Sequence, residues 1–509
     1  MGSCLDFLRL KKILIFAPDL KTIYSLKELL LRKEIIFIVS LLSILLPSCK
    51  NNSSALHSGQ TYNLDLDGMR KRGKLIAVTD FNSTNYFIYR GEPMGFHYEL
   101  LKQFSEYLNL NLEIITQNDI TKAVKMLYDG KTDLLAFDFT INSSRKKEIR
   151  FTEPFSQTRQ VLVQRKPVRW RSMTIDDIEK TIIRDQLQLA GKIVYVQAGS
   201  SSGECMRNLE KGIGDTIRII EVPYETEDLI SLVAKGDIDY AVCDENIALV
   251  NSGYFPIIDV STPVSFSQHL AWGIRKENSE QLAGALNAWI TAFKNTDSYA
   301  LLYAKYFKNE RSYKIFNSDY YSLGSGKVSP WDNLIKSFSD SLKWDWRLLA
   351  SLIFQESRFD PTVISWAGAT GLMQVMPETG KNFGIDITIS PENNMKAGVL
   401  YINYLQKFFR DRVPDSLERL KFVLAAYNAG AGNVVDAMKL AEKNGKNPLL
   451  WDENVAIWMK KKSDPKYYND PVVENGYYRG DESVNFVSQV LERFSEYKNI
   501  IPSQRNESY

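Results

Sequence analysis

Glu356 has the strongest claim to chemistry in this chain. The stretch 346–357 has a helical period in which Leu349, Leu352 and Ile353 form an apolar arc, and Glu356 falls inside that arc. A carboxyl on the buried stripe of a helix is costly to ionise, so its pKa should rise, which suits a group that delivers a proton near neutral pH. A buried glutamate satisfied by a salt bridge or a cap would leave the same pattern, so periodicity by itself holds the two readings even. Tyr427 shares a helix face with Leu420, Val423 and Leu424, and its helix breaks in the Asn428–Gly432 stretch, where glycines permit left-handed backbone. Gly368 and Gly371 likewise allow backbone to approach a ligand closely. Met373 and Met376 read equally well as gap-filling core and as cleft residues. The cysteines Cys4, Cys49, Cys205 and Cys243 show no C-x-x-C spacing, and no metal or cofactor is expected. Cys205 and Cys243 are expected to be buried free thiols, with a pairing open in an oxidising compartment.

The 509 residues allow two or three domains. Sixty-three basic residues against sixty-one acidic ones leave a net charge of +2, which gives no support to a nucleic-acid partner. Arg32 and Lys33 precede an apolar run over 35–46, too short to span a bilayer comfortably, and the run ends in Leu46, Pro47, Ser48 and Cys49. This resembles a lipobox. It predicts a lipoprotein signal peptide over 1–48, lipidation at Cys49 and a membrane anchor through acyl chains; an uncleaved anchor helix is the alternative. Asn- and Ser-rich sequence then predicts a tether over 49–73.

From residue 74 onward, short β-rich runs at 75–78, 112–115, 134–137, 161–163, 193–196, 217–222 and 240–242 alternate with helical periods. They predict two α/β lobes over 74–307, with a crossing near 165–171 and a return near 265–274. A polar linker is expected over 308–329. Beyond it, 330–505 has helical spacing.

Four motifs in the last third stand in a telling order: Glu356 to Pro361 (Glu-Ser-Arg-Phe-Asp-Pro), Ser365 to Pro377, Asn394 to Gly398, and Ala426 to Gly430. They resemble the soluble lytic transglycosylase, or goose-lysozyme-like, superfamily. The resemblance implies a helical lysozyme-like domain that cuts the MurNAc–GlcNAc β-1,4 bond of peptidoglycan glycan strands. It also implies Glu356 as acid/base. Ser365, Gln374, Met376 and Tyr427 are implied as sugar-cleft residues, Asn428 as a structural motif position, and Glu482 as a late motif glutamate, although Ser483 stands where the family has threonine. Two carboxylates are usual in glycosidases. The candidates Asp360 and Glu378 both have capping or surface explanations, so single-carboxylate chemistry that ends in 1,6-anhydroMurNAc fits better than a hydrolytic lysozyme.

Residues 74–307 resemble the family 3 solute-binding proteins, through Gly95 to Leu100, Leu127 to Asp133, Thr140 to Arg145, Arg150 to Phe155, Gly199 to Ser202, Gly236 to Asp244 and Lys305 to Phe307. By position, Arg145 is implied to clamp a ligand carboxylate, Thr140 and Ser201 to hydrogen-bond it, and Asp244 to meet its amine. Asp138 departs from the family pattern and argues against a simple amino-acid ligand. Together the modules resemble the membrane-bound lytic murein transglycosylase F family, which implies an envelope enzyme on the outer membrane facing the periplasm. A front module sensing a peptide or muropeptide is implied with it. The alternative is a receptor with an inactive lysozyme-like domain.

Overall fold

The structure, a computed structural model, describes residues 64–308, 318, 320, 322 and 326–501. The expected signal peptide, Cys49 and most of the expected tether lie outside the described residues.

The end of that tether belongs to the folded module instead. Leu66–Arg72 forms helix α1, capped by Asp65, whose carboxylate also accepts the backbone N–H groups of Gln281 (2.9 Å) and Leu282 (2.8 Å). Leu66 and Met69 are buried, and this apolar anchoring is what the Asn/Ser-rich composition upstream obscured.

Two lobes follow. β1 (Lys74–Thr79), the hairpin β2 (Phe87–Tyr89) and β3 (Glu92–Met94), helix α2 (Phe96–Leu108), β4 (Asn111–Thr116), β5 (Leu134–Thr140), β6 (Arg150–Phe151) and β7 (Ser156–Thr158) build the first lobe. β8 (Gln160–Arg165), β9 (Ile193–Gln197), helix α3 (Ser201–Ile213), β10 (Arg218–Val222), β11 (Tyr240–Asp244) and β12 (Ile258–Pro263) build the second, and β13 (Gln268–Ile274) returns to the first. The first sheet runs β4-β1-β5-β13-β6, with β7 also on β13; the second runs β10-β9-β11-β8-β12. In the parallel pairs the inner strand is the buried one, β1 at Leu75, Ala77 and Val78 and β9 at Val194 and Val196, while the edge strands β4 and β10 are only partly covered. The first crossing falls at Arg159, between β7 and β8, and not near 165–171. The run at 161–163 is therefore second-lobe sheet, paired antiparallel to β11 and β12. A strand buried on both faces looks the same from either sheet, so sequence could not assign it.

The last module is helical: α4 (Asp332–Leu342), α5 (Trp346–Ser357), α6 (Pro377–Asn382), α7 (Pro391–Arg410), α8 (Ser416–Ala429), α9 (Ala431–Lys443), α10 (Ala456–Lys461) and α11 (Gly480–Ile500). Helix α5 is its spine. Every residue from Trp346 to Phe354 is buried, more than the one-sided arc that the spacing predicts, because neighbours pack on all sides and α11 lies along it. The helix ends at Arg358 and Phe359, with φ of 52° and 65°, a left-handed pair that β-carbons disfavour. Burial of the Phe359 ring offsets that cost and fixes where the preceding turn points.

The modules share a continuous interface. Ile88 of the β2–β3 hairpin lies in the helical core. Gly91 at its tip is so close that a Cβ there would come within 2.5 Å of Phe359 and 2.7 Å of Phe354, and its carbonyl accepts from the Tyr497 hydroxyl at 2.7 Å. Asn499 bonds Ile114 and Thr116 on β4. The expected linker contributes too: Ser322 and Tyr320 accept from the backbone of Ile88 and Arg90. Among the described residues no helix is long and apolar enough to cross a membrane.

Candidate active site and ligand cavity

Glu356 sits on the last turn of α5, half-buried, without a hydrogen-bond or ion-pair partner among the described contacts. Burial alone pushes its carboxyl up to about 8. The salt-bridged alternative is thereby removed. Asp360 does not serve as a second acid facing it: it is exposed, and its side chain accepts the backbone N–H and hydroxyl of Thr362 at 2.8 and 2.7 Å. Those bonds hold its pKa below the usual value. Glu378 is exposed in the first turn of α6.

The loop 363–376 beside Glu356 is held from three helices. Ser357 of α5 donates to Leu372 O at 2.8 Å. Asn394 of α7 accepts from Met373 N at 2.9 Å and donates to Thr370 O at 2.7 Å. Tyr427 of α8 donates to Met373 O at 2.7 Å, and its phenol is pushed well up by burial, then by Glu356 and Tyr401. Tyr427 therefore faces the acid, while its hydroxyl proton is committed to the loop.

Within the loop, Ser365 accepts from Ala369 N at 3.0 Å, which leaves its own hydroxyl hydrogen free to donate. Gln374, at φ 45°, commits its amide N–H groups to Val363 O and Gly371 O, so its carbonyl oxygen is what remains for a ligand. The two methionines separate. Met373 is fully buried, and its sulfur would lie 2.6 Å from a Cβ at Gly398; Met376 is 42% exposed. Asn428 is exposed and accepts from Ser483 Oγ at 2.5 Å; Ser483 also contacts the Tyr478 hydroxyl at 2.8 Å. Serine thus keeps the hydroxyl that threonine would supply. Glu482 is not brought into this cluster: it is exposed and paired with Arg479 at 2.8 Å.

Asn394 and Ser357 went unassigned in the sequence reading. The signal available for Asn394 is Gly371, at φ 76°, where a Cβ would lie 2.6 Å from the Asn394 side chain; the interior helix glycine Gly398 answers to Met373 instead. Asn394→Ala should strand the buried Met373 N–H and remove one of the two donors to Thr370 O, which keeps the Val375 N–H at 3.1 Å; it should lower stability by about 1–3 kcal/mol and loosen the loop. Chemical denaturation and turnover, measured together, check it.

In the front module, Arg145, Ser201 and Asp244 line one cavity of about 80 Å³. Arg145 donates to Gly199 O at 3.2 Å and lies over the Phe139 ring; burial lowers its pKa, with Asp244 opposing. Thr140 is not in the wall, but its hydroxyl meets Ser201 Oγ at 3.3 Å between the lobes. Asn142 reaches Glu204 at 3.0 Å, and Ser83 donates to Glu227 through its backbone N–H at 3.0 Å and its hydroxyl, so the lobes are closed. Asp80, Asp138, Glu225 and Glu227 complete the acidic wall. Of these only Asp138 was singled out from sequence; Asp80 follows β1, where α/β sheets commonly bind ligands. Cys205 and Cys243 are both unpaired, Cys243 buried and Cys205 half-buried. Among the described residues no cluster of His, Cys, Asp and Glu could hold a metal ion.

The folds and these two sites define a class: a solute-binding-protein-like module joined to a transglycosylase-like helical domain. Family models agree, with the bacterial extracellular solute-binding proteins, family 3, matching 75–309 and the transglycosylase SLT domain matching 333–450. Membrane-bound lytic murein transglycosylase F of Desulfosudis oleivorans is 31% identical over 83% of this chain and 89% of its own length. That of Aeromonas hydrophila is 27% identical over 84% of this chain and 83% of its own length. A crystal structure of an ancestral amino acid-binding protein, a precursor of cyclohexadienyl dehydratase, is 25% identical with a TM-score of 0.40, over 48% of this chain and 98% of that one. The chain belongs to the membrane-bound lytic murein transglycosylase F family.

Proposed function

We propose that this protein is a peptidoglycan lytic transglycosylase that cleaves the MurNAc–GlcNAc β-1,4 bond without water and leaves 1,6-anhydroMurNAc ends. The observation that carries the reading is the isolation of Glu356, whose raised pKa has burial as its cause and no charged neighbour among the described residues. A retaining or inverting hydrolase needs a second carboxylate within about 5–10 Å, and a carboxylate that close to a buried acid would add its own upward push.

Glu356, protonated, gives its proton to the glycosidic oxygen as the C1–O bond breaks. The positive charge passes to the acetamido group or an oxocarbenium-like ring. The Glu356 anion then takes the proton of the MurNAc 6-hydroxyl, whose oxygen closes on C1, so the acid is restored and no water enters. The Ser365 hydroxyl, the Gln374 carbonyl, Met376 and Tyr427 are the proposed sugar contacts. Asn428 acts by holding Ser483 and Tyr478. Glu482, exposed and ion-paired, is the weakest member of the set.

The first step needs the acid form, so kcat/KM should hold at neutral pH and fall as pH rises through about 8. A pH–rate profile on purified cell wall checks this. Product masses from digested sacculi test the reaction itself: anhydro-muropeptides support it, and reducing ends would make the enzyme a hydrolytic lysozyme.

The front module is proposed to bind a small-molecule or peptide signal and to gate the helical domain. Support comes from the segment 80–94, which runs from the cavity wall at Asp80 and Asn85 to the hairpin seated on Phe354 and Phe359 beside Glu356. The proposed location is the outer membrane, facing the periplasm, after removal of 1–48 and lipidation at Cys49. The apolar run and the cysteine behind it support that.

A further inference from the structure

Helix α7 carries apolar rings beyond the face it buries. Ile402, Leu405 and Phe409 fill its core stripe and have no solvent contact. One position before each stands another aromatic residue: Tyr401, Tyr404 and Phe408. At spacings of three and four these share a face of their own, about 100° round the helix from the buried stripe. Tyr401 and Phe408 are half-buried against the helical core, whereas Tyr404 is 50% exposed. Since the stripe beside it already supplies the core contacts, packing does not account for the row.

The row starts at the catalytic site. Near its beginning α7 holds the loop 363–376 through Asn394, and Gly398 then meets Met373. Farther along, the Tyr401 ring lies 5.6 Å from that of Tyr427, the tyrosine that faces Glu356. Tyr404 follows at 6.3 Å, nearly parallel to Tyr401 with 12° between the rings, and Phe408 follows at 6.2 Å. Arg412 ends the row, its guanidinium 4.1 Å from the centre of the Phe408 ring and bonded to Phe408 O at 2.6 Å. From Tyr401 to Phe408 the helix rises about 10 Å, which gives room for neighbouring sugar rings.

The chemistry of the row limits what it meets. A half-exposed phenol offers an apolar face and a polar tip. Among the described residues the hydroxyls of Tyr401 and Tyr404 have no hydrogen-bond partner, while that of Tyr427 is committed to Met373 O. A β-1,4-linked pyranose has the matching pattern, with C–H groups on its faces and polar groups round its edge. The row holds no charged side chain before Arg412. A stem peptide, with several carboxylates, would call for cations along it.

We propose that Tyr401, Tyr404 and Phe408 form a distal glycan-binding ridge that holds the strand beyond the sugars flanking the scissile bond, so that long strands bind more tightly than short ones. The proposal rests on the reading of the Glu356 cleft as the glycan-cleaving site and extends that site outward.

Binding is read without cleavage in full-length Glu356→Gln, titrated into fluorescently labelled, peptide-free glycan strands and into a labelled GlcNAc–MurNAc tetrasaccharide. Adding Tyr404→Ala should raise Kd about tenfold for long strands, or about 1.4 kcal/mol, and less than about twofold for the tetrasaccharide. Tyr404→Trp, which keeps a flat ring, should bind long strands as the parent does. With Glu356 in place, Tyr404→Ala should raise KM on long strands and leave kcat unchanged. Equal weakening for both lengths, no weakening, a loss seen only with strands that carry stem peptides, or no rescue by tryptophan would overturn the proposal. The titration needs no bond cleavage, and product masses test the Glu356 chemistry separately, so either claim can fail without the other.

Discussion

Glu356→Gln should lose about 10²–10⁴-fold in turnover on purified sacculi and become more stable at the same time. Glutamine keeps the shape of the side chain but can neither give up nor recover a proton, so both halves of the reaction fail. The stability gain has a separate origin. With a folded pKa of about 8 against an ordinary 4.5, the wild-type carboxyl must take up a proton to fold at pH 7. That costs on the order of 3 kcal/mol. The sign follows from the direction of the shift: the folded pKa is raised, so stability is greatest below the unfolded pKa and is lost as pH rises through about 8. Glutamine has nothing to protonate, so thermal melts at pH 7 should place the variant above wild type, and the gap should close near pH 4. A merely structural glutamate would give the opposite pairing, a less stable variant with activity reduced in proportion. Anhydro-products formed at wild-type rate by the variant would remove Glu356 from the reaction.

Asp436→Leu should be among the most destabilising single changes in the helical domain. Asp436 and Lys462 are both essentially without solvent contact and lie 2.7 Å apart. The carboxylate also accepts the backbone N–H groups of Glu474 (3.0 Å) and Asn475 (2.9 Å) and the Asn475 side chain (3.0 Å). Lys462 has one other partner, Asn433 Oδ1 at 2.7 Å. Burial alone would raise the aspartate's pKa, but these donors outweigh it and hold it below the usual value. Removing the carboxylate strands an ammonium and two amides, at about 3–5 kcal/mol. For a domain of this size that is roughly a 10 °C fall in Tm. Its pH dependence is the reverse of that of Glu356: the contribution is present above the unfolded aspartate pKa and is lost as pH falls through the depressed folded one. Replacing the pair together, Asp436→Leu with Lys462→Met, should recover the part of the loss that comes from the unpaired ammonium, while the Glu474 and Asn475 amides stay without their acceptor. Function should suffer as well, because the same node anchors the segment leading to Tyr478, which meets Ser483 beside Asn428. Thermal melts of the single and double variants check the prediction.

Much of the site was legible before any coordinates. Glu356 on an apolar arc, Tyr427 sharing a face with Val423 and Leu424, and the glycines around Gln374 are local features, set by helical spacing and by residues that tolerate left-handed backbone. The two-lobed α/β character followed from alternating periods in the same way. What failed was nonlocal. The strand at 161–163 falls on the far side of the lobe crossing from the one its spacing predicts, because a doubly buried strand carries no mark of its sheet. The helix at Leu66–Arg72 falls in the stretch where composition predicts a tether, because what holds it is distant: Leu66 and Met69 join a core that includes Leu282 and Leu286, and its capping Asp65 accepts from Gln281 and Leu282, more than two hundred residues away.

The sequence by itself determined which side chains could do chemistry, the order of the motifs and the two module types, because periodicity and turn chemistry act over a few residues. Tertiary structure alone decided that, among the described residues, Glu356 has no ionic partner and Asp138 Oδ2 no hydrogen-bond donor, that Asp360 bonds Thr362, and that the β2–β3 hairpin rests on the helix bearing the acid. Each of these depends on desolvation and on which distant groups come within bonding distance, and neither quantity exists until the chain has packed.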